Sequence, residues 1–462
     1  MGTVKALGAG SGQANHYVVS AMAETVHWGY FSRSLKPVLK LQSGDFVTIE
    51  TLTHHAYDDH ARMIAGDPGA ESVFHWTKER KSVDRRGAGP MNAAIHGRGA
   101  GEGFGVHICT GPIHVRDAEP GDVLEARILD VKLRGCRNPS FAGRAFGSNA
   151  AAWWGFQYND LITEPKPREV ITIYEIDATG GRNWARAVCN YRWMPQTDPF
   201  GVLHRTIDYP GIPVDHTLVE ETHGILKDVR IPVRPHFGVI AVAPKEAEFV
   251  DSIPPGYFGG NIDNWRIGKG AVMYYPVAVP GALFSVGDPH ASQGDGELCG
   301  TAIECSLTGT FQLIVHKRDR LAGTPLAELH YPLLETPDEW VVHGFSFANY
   351  LAELGAKAQT EIFAKIVARR CNARRVPQDA ALPDGNEGAQ RGQNLADVGC
   401  SRFWRDTGCR RQLGRSRNPE EVAFRRRGAM TGRASRRVTG RPMPHSAASA
   451  KIGCSACLIV CS

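Results

Sequence analysis

The sequence predicts a mainly-β fold, a β-sandwich or barrel, with a helical segment toward its C-terminal end. Runs of β-branched and aromatic residues recur along the chain, each bounded by Gly or Pro turns. Few stretches between them carry helical periodicity, which becomes convincing only near residue 337.

The first strand expected is Asp45-Phe-Val-Thr-Ile-Glu50, led in by the turn Ser43-Gly44-Asp45. A glycine-rich loop follows from about Gly66 to Gly105, then a strand from Asp122 to Val131 introduced by Pro120-Gly121-Asp122. Further strands are expected between Glu169 and Asp177, over Ala187 to Trp193 and over Val239 to Val242. Ala271 to Val279 and Ala302 to His316 complete the set. Thr336-Pro337-Asp338-Glu339 has the proline and acidic first turn of a helix start. Ser346 to Ile366 then reads as helix, with Phe347, Tyr350, Leu351, Leu354, Ala358, Ile362 and Phe363 near helical spacing.

The net charge of +5 hides two unlike parts. Residues 366–462 hold 19 of the 53 Lys+Arg and 7 of the 48 Asp+Glu, leaving 34 and 41 in residues 1–365. A body at −7 thus precedes a tail at +12. Five of the 11 cysteines lie in the body, an odd number at irregular spacing, which suits a reducing compartment. No segment has the length of a membrane span and no secretory leader is recognised, so a cytoplasmic location without membrane partners is expected.

The tail has 18 arginines against one lysine and no periodicity. One reading is a disordered basic tail that binds nucleic acid. The favoured reading is a shifted reading frame from about residue 366. Back-translated with permitted codons and read one nucleotide later, the segment from Ile366 continues the amphipathic helix. The expected organisation is a catalytic body over 1–365 and an aberrant, disordered tail over 366–462, with nucleic acid not a partner.

The segment Gly287-Asp288-Pro289-His290-Ala291-Ser292-Gln293-Gly294-Asp295-Gly296-Glu297 packs three carboxylates and an imidazole into what reads as one glycine-rich turn. Asp288 and His290 are two apart, so they leave a strand end on one face and offer an O,N pair to a divalent cation. A turn that only reversed the chain would need neither the histidine nor the second acidic pair.

The chain resembles the acetamidase/formamidase family, and its longer formamidase branch most. The matching residues include Thr25-Val-His-Trp-Gly-Tyr-Phe31, Thr53-His-His-Ala-Tyr-Asp-Asp-His60 and Gly66-Asp-Pro-Gly-Ala-Glu-Ser-Val-Phe74. They continue with Thr110-Gly-Pro-Ile113, Ala118-Glu-Pro-Gly-Asp122 and Phe146-Gly-Ser-Asn-Ala-Ala-Ala-Trp-Trp154. Tyr257-Phe-Gly-Gly-Asn-Ile-Asp-Asn-Trp265 and the 287–297 segment complete the likeness, which covers roughly residues 20–365. It implies a β-sandwich or barrel-like body and hydrolysis of short carboxamides, formamide above all, to carboxylate and ammonia. It also implies a homo-oligomer, and some relatives are metal-containing amide or lactam hydrolases. The departure is the tail, where relatives continue their helix.

Amide hydrolysis needs an activated water or nucleophile, a stabilised oxyanion and a proton for ammonia. The candidate metal ligands are Asp288, His290 and Asp263, with zinc the first guess for the ion. Glu304 interrupts an otherwise apolar strand, where an unpaired carboxylate is costly to bury; it is the candidate general base or further ligand. Asp263 and Asp295 have turn capping as an equal alternative. His54, at the end of the first strand, is the candidate proton donor. His54 and His55 point opposite ways if extended, so at most one is expected to face the site, with Asp58 and His60 as surface loop residues. Asn261, Glu297 and Trp154 are assigned to substrate binding, although Trp153 and Trp154 also read simply as core or interface. The rival chemistry is a cysteine nucleophile, with Cys109 two residues from His107, against a better prior of buried inert thiols. A non-enzymatic β protein whose acidic loop holds calcium is the remaining alternative.

Overall fold

The computed structural model describes residues 4–6, 14–76, 94–95, 98–99, 105–152, 169–181, 184–199, 201–207, 211–294, 297, 299–345, 347–356 and 456–461. The chain divides into two compact units: Met1–Ala322, Leu329–Ala381 and Gly453–Ser462 in one, Gly323–Glu328 and Leu382–Ile452 in the other. All that follows lies in the first unit. The tail expectation falls outside the described residues, apart from a strand at Ala456–Cys461 that pairs antiparallel with Trp340–Phe345.

The mainly-β expectation holds. The strands that matter here begin with β1 (Val26–Trp28), β2 (Phe46–Glu50), β3 (Ile108–Val115) and β4 (Val123–Leu133). Then come β5 (Arg144–Ala151), β6 (Val170–Asp177), β7 (Trp184–Arg192) and β8 (Thr222–His223). They are followed by β9 (His236–Ala241), β10 (Gly259–Asn261), β11 (Val272–Pro276) and β12 (Phe284–Ser292). The last are β13 (Ile303–Glu304), β14 (Leu307–His316), β15 (Leu333–Glu335) and β16 (Trp340–Phe345).

Among the described residues, one sheet has the order β8-β7-β6-β5-β13-β12-β9-β10, with β3 also paired to β12 and β1 to β3. A second runs β2-β14-β4-β11-β15-β16. Both feed one apolar core. Val47 and Ile49, Leu124 and Ala126, and Phe311 come from the second sheet and meet Phe237, Val239, Phe284 and Val286 from the first. Alternation of buried and half-exposed residues along β2 and β14 puts these side chains on the inner face. Burial of each such large side chain contributes roughly 1.5–3 kcal/mol. The two lead-in turns work alike: Asp45 Oδ2 accepts the Gln42 N–H, and Asp122 Oδ2 accepts the Glu119 N–H, both at 2.8 Å. The preceding Gly44 and Gly121 take φ of 94° and 95°, a conformation open to glycine.

The helix expected to start at Thr336 is not one. Thr336–Glu339 is the hairpin turn between β15 and β16, whose Thr336 N–H donates to the Glu339 carbonyl at 2.9 Å. The Thr336 hydroxyl accepts the Asp338 and Glu339 N–H groups, so the residues that mimic a helix N-terminus close a turn instead. The following helix is confined to Tyr350–Leu354, capped by the Asn349 side chain and ended at Gly355 with φ of 74°. Residues 347–349 and 355–356, also expected in the helix, are not helical, and the rest of that expectation lies outside the described residues. No described helix is long and apolar enough to cross a membrane. Among the described residues of the body, Cys109, Cys136, Cys189, Cys299 and Cys305 form no disulfide.

Candidate metal and catalytic centre

Strand β12 supplies the centre of the site, and every one of its residues is buried. The expected turn is therefore mostly strand: Gly287 to Ser292 belong to β12, and Asp288 and His290 sit inside it rather than beyond its end. The register does the assembly. His290 pairs with His236 of β9 on one side and with Glu304 of β13 on the other, so three strands place His236, His290 and Glu304 in one row. Gly287 pairs with Val239 and His290 with His236, which sets Gly238 across from Asp288.

Distances close the cluster. His290 Nε2 lies 3.2 Å from Asp288 Oδ2, 3.4 Å from Glu304 Oε1 and 3.9 Å from Glu297 Oε1. His54 Nδ1 lies 3.5 Å from Asp288 Oδ1, and His107 Nε2 lies 3.7 Å from Asp288 Oδ2. Asp263, Asp288 and Glu297 take φ of 52°, 49° and 40°. Left-handed backbone at three non-glycine residues is strained, and such strain collects where the surroundings over-determine a site.

Four carboxyl groups in a buried cluster cannot all stay charged unaided. Burial works against the Asp288 charge, but the His290, His107 and His54 imidazoles outweigh it and hold this carboxyl well below its ordinary range. Burial, then Glu297 and Asp288, push Asp263 well above its range. Burial is also the main cause that pushes Glu297 up to about 8 and raises Glu304. Burial opposes charge on His290, yet Glu304 and Asp288 prevail and raise it well above the usual imidazole value. His54 goes the other way: burial and neighbouring His55 keep it neutral. The proton donation expected of His54 asks for a charged ring, which this position does not favour.

The residues present fit a divalent cation. Two sets of ligand atoms lie within 4.8 Å of one another: His54, Asp288 and Glu304, and Asp263, His290 and Glu297. His54 Nδ1, His290 Nε2, Asp263 Oδ1 and Glu304 Oε2 are buried without a hydrogen-bond partner. Atoms so placed are rare in a folded protein unless something else satisfies them. A second row prepares the ligand nitrogen. His236 Nδ1 lies 2.6 Å from the Arg234 carbonyl, so it must donate there, and burial with His290 nearby lowers the His236 pKa to about 3. Its Nε2 lone pair therefore accepts from His290 Nδ1 at 3.1 Å. That leaves His290 Nε2 facing the carboxylates, in the position a ligand nitrogen would need.

Most of the expected site residues converge here. His54, Asp263, Asp288, His290, Glu297 and Glu304 meet, with Glu297 grouped among ligand atoms rather than standing apart as a substrate contact. Asn261 lies on β10 opposite Val239, two residues from Asp263, with its Oδ1 buried and unpaired. Trp154 and Asp295 lie outside the described residues. Asp58 is no surface residue: it is buried, its Oδ2 lies 2.8 Å from His55 Nδ1, and its carbonyl accepts from the Tyr191 hydroxyl. His54 and His55 do not diverge, because the backbone turns here, and their ring centroids are 4.7 Å apart. His60 is exposed, as expected.

Sequence reasoning missed His236 and saw His107 only as a partner for Cys109. His107 Nδ1 instead pairs with Ser252 Oγ at 2.9 Å while its Nε2 faces Asp288. Each is a lone histidine at the start of a strand, His236 within it and His107 just before it, and local sequence does not mark either. Cys109 is fully buried, and burial followed by the Asp288 charge pushes its thiol far up, away from nucleophile range.

Residues 246–361 match the model of the Acetamidase/Formamidase family. The acetamidase of Mycolicibacterium smegmatis is 31% identical over 221 residues, 43% of this chain and 50% of that protein. The formamidase of Methylophilus methylotrophus is 30% identical over 221 residues, 43% of this chain and 49% of that protein. The chain thus spans about half the length of the curated relatives it matches. A solved acetamidase from Yersinia enterocolitica aligns over 78% of this chain and 83% of its own, at 22% identity and a TM-score of 0.46.

Proposed function

We propose that this chain, matching the acetamidase/formamidase family over residues 246–361, hydrolyses formamide or another short carboxamide to a carboxylate and ammonia. The observation that carries the reading is the row His236, His290 and Glu304, closed by Asp288 and by His54 from a distant loop. The match holds Asp263, Asp288, His290, Glu297 and Glu304, while His54, His107 and His236 lie outside it.

The residues that would hold a divalent cation, with zinc the first candidate, are Asp288, His290 and Asp263. Bound there, such an ion would supply Lewis-acid polarisation and lower the pKa of water. Glu304 is the general base. Its Oε1 accepts the Ala302 N–H at 3.0 Å, which fixes the carboxyl and leaves Oε2 unpartnered to take a proton from water. His54 and His107 flank Asp288 as neutral rings and hold its orientation. Glu297 accepts the Gln293 amide at 2.9 Å, and burial pushes its pKa up to about 8, so its carboxyl can hold a proton for departing ammonia. The reducing compartment suggested by the odd number and irregular spacing of the body's cysteines, the cytoplasm, and a homo-oligomer are parts of the same proposal, the last read by light scattering.

The test is ammonia release from formamide and acetamide by the purified full chain, beside its Asp288→Asn variant. Release that the variant lacks is the expected result. No release from any short amide after loading with zinc, manganese or iron would overturn the reading.

A further inference from the structure

A third set of ligand atoms lies at the edge of the large sheet, where strand pairing builds it. Cys189 of β7 and His223 of β8 are directly opposed in antiparallel register, so their side chains share one face of the ladder. Glu221 precedes His223 by two residues and so projects to that same face. The Cys189 Sγ, a Glu221 carboxylate oxygen and a His223 ring nitrogen lie within 4.8 Å of one another. His223 Nε2 is 3.3 Å from Glu221 Oε2, and His216 Nδ1 is 3.1 Å from Glu221 Oε1. The second His216 nitrogen, Nε2, is buried without a partner.

We propose that Cys189, Glu221 and His223 form a thiophilic divalent-cation site of the zinc class that clips β8 to the sheet, with His216 orienting Glu221. A sulfur, nitrogen and oxygen donor set selects a borderline-soft ion over calcium or magnesium. Burial, then Glu221, push the Cys189 thiol up to about 12, so it stands protonated without an ion. Binding therefore exchanges the thiol proton for the cation: a metal–sulfur bond forms and one proton leaves to solvent. The side chains of Glu221 and His223 are 28% and 62% exposed, which gives the ion its entry path. The role is structural. The β8 ladder is only two residues long, Asn190 with Thr222 and Cys189 with His223, too short to hold an edge segment firmly. Cys189 meanwhile packs with Phe146, Ile171, Ile173 and Tyr191, so the clip would fasten the edge to a fixed part of the core. The site shares no residue with the cluster around His290, and the inference does not depend on amide hydrolysis.

The test is cobalt(II) titration of the full chain with Asp288→Asn introduced, read by the thiolate-to-cobalt charge-transfer band in the near ultraviolet. The expected result is one such band per chain that Cys189→Ala removes. His223→Gln, at an exposed position that leaves the fold intact, should weaken the ion by at least about tenfold, and His216→Ala by about 10–100-fold. Absence of the band in the chain that keeps Cys189, or equal affinity in the His223→Gln variant, would overturn the proposal.

Discussion

Gly238 lies across from Asp288, and a Cβ placed on it would stand 2.4 Å from Asp288 Oδ2. The same atom would meet Asp263 Oδ1 at 2.5 Å and His290 Cε1 at 2.6 Å. Two carboxylates of the cluster and its central imidazole thus rest against a missing side chain. Gly238→Ala should displace all three, lowering ammonia release from formamide by about 10²-fold or more. The accompanying loss of stability should be roughly 1–3 kcal/mol. Steady-state kinetics beside a thermal melt separates the two effects, and a variant with full activity would remove Gly238 from the site's design.

His236 would act on a bound cation only through His290, whose Nδ1 it accepts at 3.1 Å. Replacing it with alanine frees the His290 ring to rotate or change tautomer, and should weaken metal binding by about 10–100-fold. Competition with a calibrated chelator measures this directly. Unchanged affinity would show that the 3.1 Å contact does not orient His290.

Metal removal distinguishes the two chemistries open to this chain. Dialysis against chelator should abolish ammonia release, and added zinc should restore it. Cys109→Ala should keep most of the activity, because the thiol is fully buried and its pKa is far above neutral. Chelator-resistant turnover lost in Cys109→Ala would establish a cysteine nucleophile instead.

His343 of β16 is fully buried, with Nδ1 donating to the Pro332 carbonyl at 2.9 Å and Nε2 unpartnered. Burial lowers its pKa from 6.5 to about 4. Between these values the unfolded chain binds the proton and the folded chain does not, so stability falls as pH drops through this window. The loss from this residue should reach roughly 3 kcal/mol by pH 4. Denaturant melts at pH 7 and pH 4.5 should show a smaller acid loss for His343→Gln than for the parent chain, and equal losses would exclude the mechanism.

Several residues of the site were legible from local chemistry alone. Asp288 and His290 stand two apart beside glycines, and Glu304 interrupts an apolar strand; each is costly unless employed, and composition exposes that cost. Strands β2, β4, β6, β7, β9, β11 and β14 followed from β-branched runs and turn residues, because alternation and turn chemistry are local, whereas β3 and β5 did not and most of β12 read as a turn. Thr336–Glu339 shows the limit of such reasoning. A proline and acids suit a helix start and a hairpin turn equally, and only pairing of β15 with β16 chose between them.

By itself the sequence determined a mainly-β body, its acidic charge, and a concentration of carboxylates and imidazoles on the segments around residues 54, 263 and 288–304. Tertiary structure alone decided which of these meet. Register between β9, β12 and β13 enlisted His236 and set Gly238 beneath Asp288, while the turn after β2 carried His54 and His55 inward together. Side-chain period along a strand is written locally, but the partner across a strand is set by long-range pairing. Charge state was decided the same way, since burial and neighbours drive Asp288 and Asp263 in opposite directions although their side chains are identical.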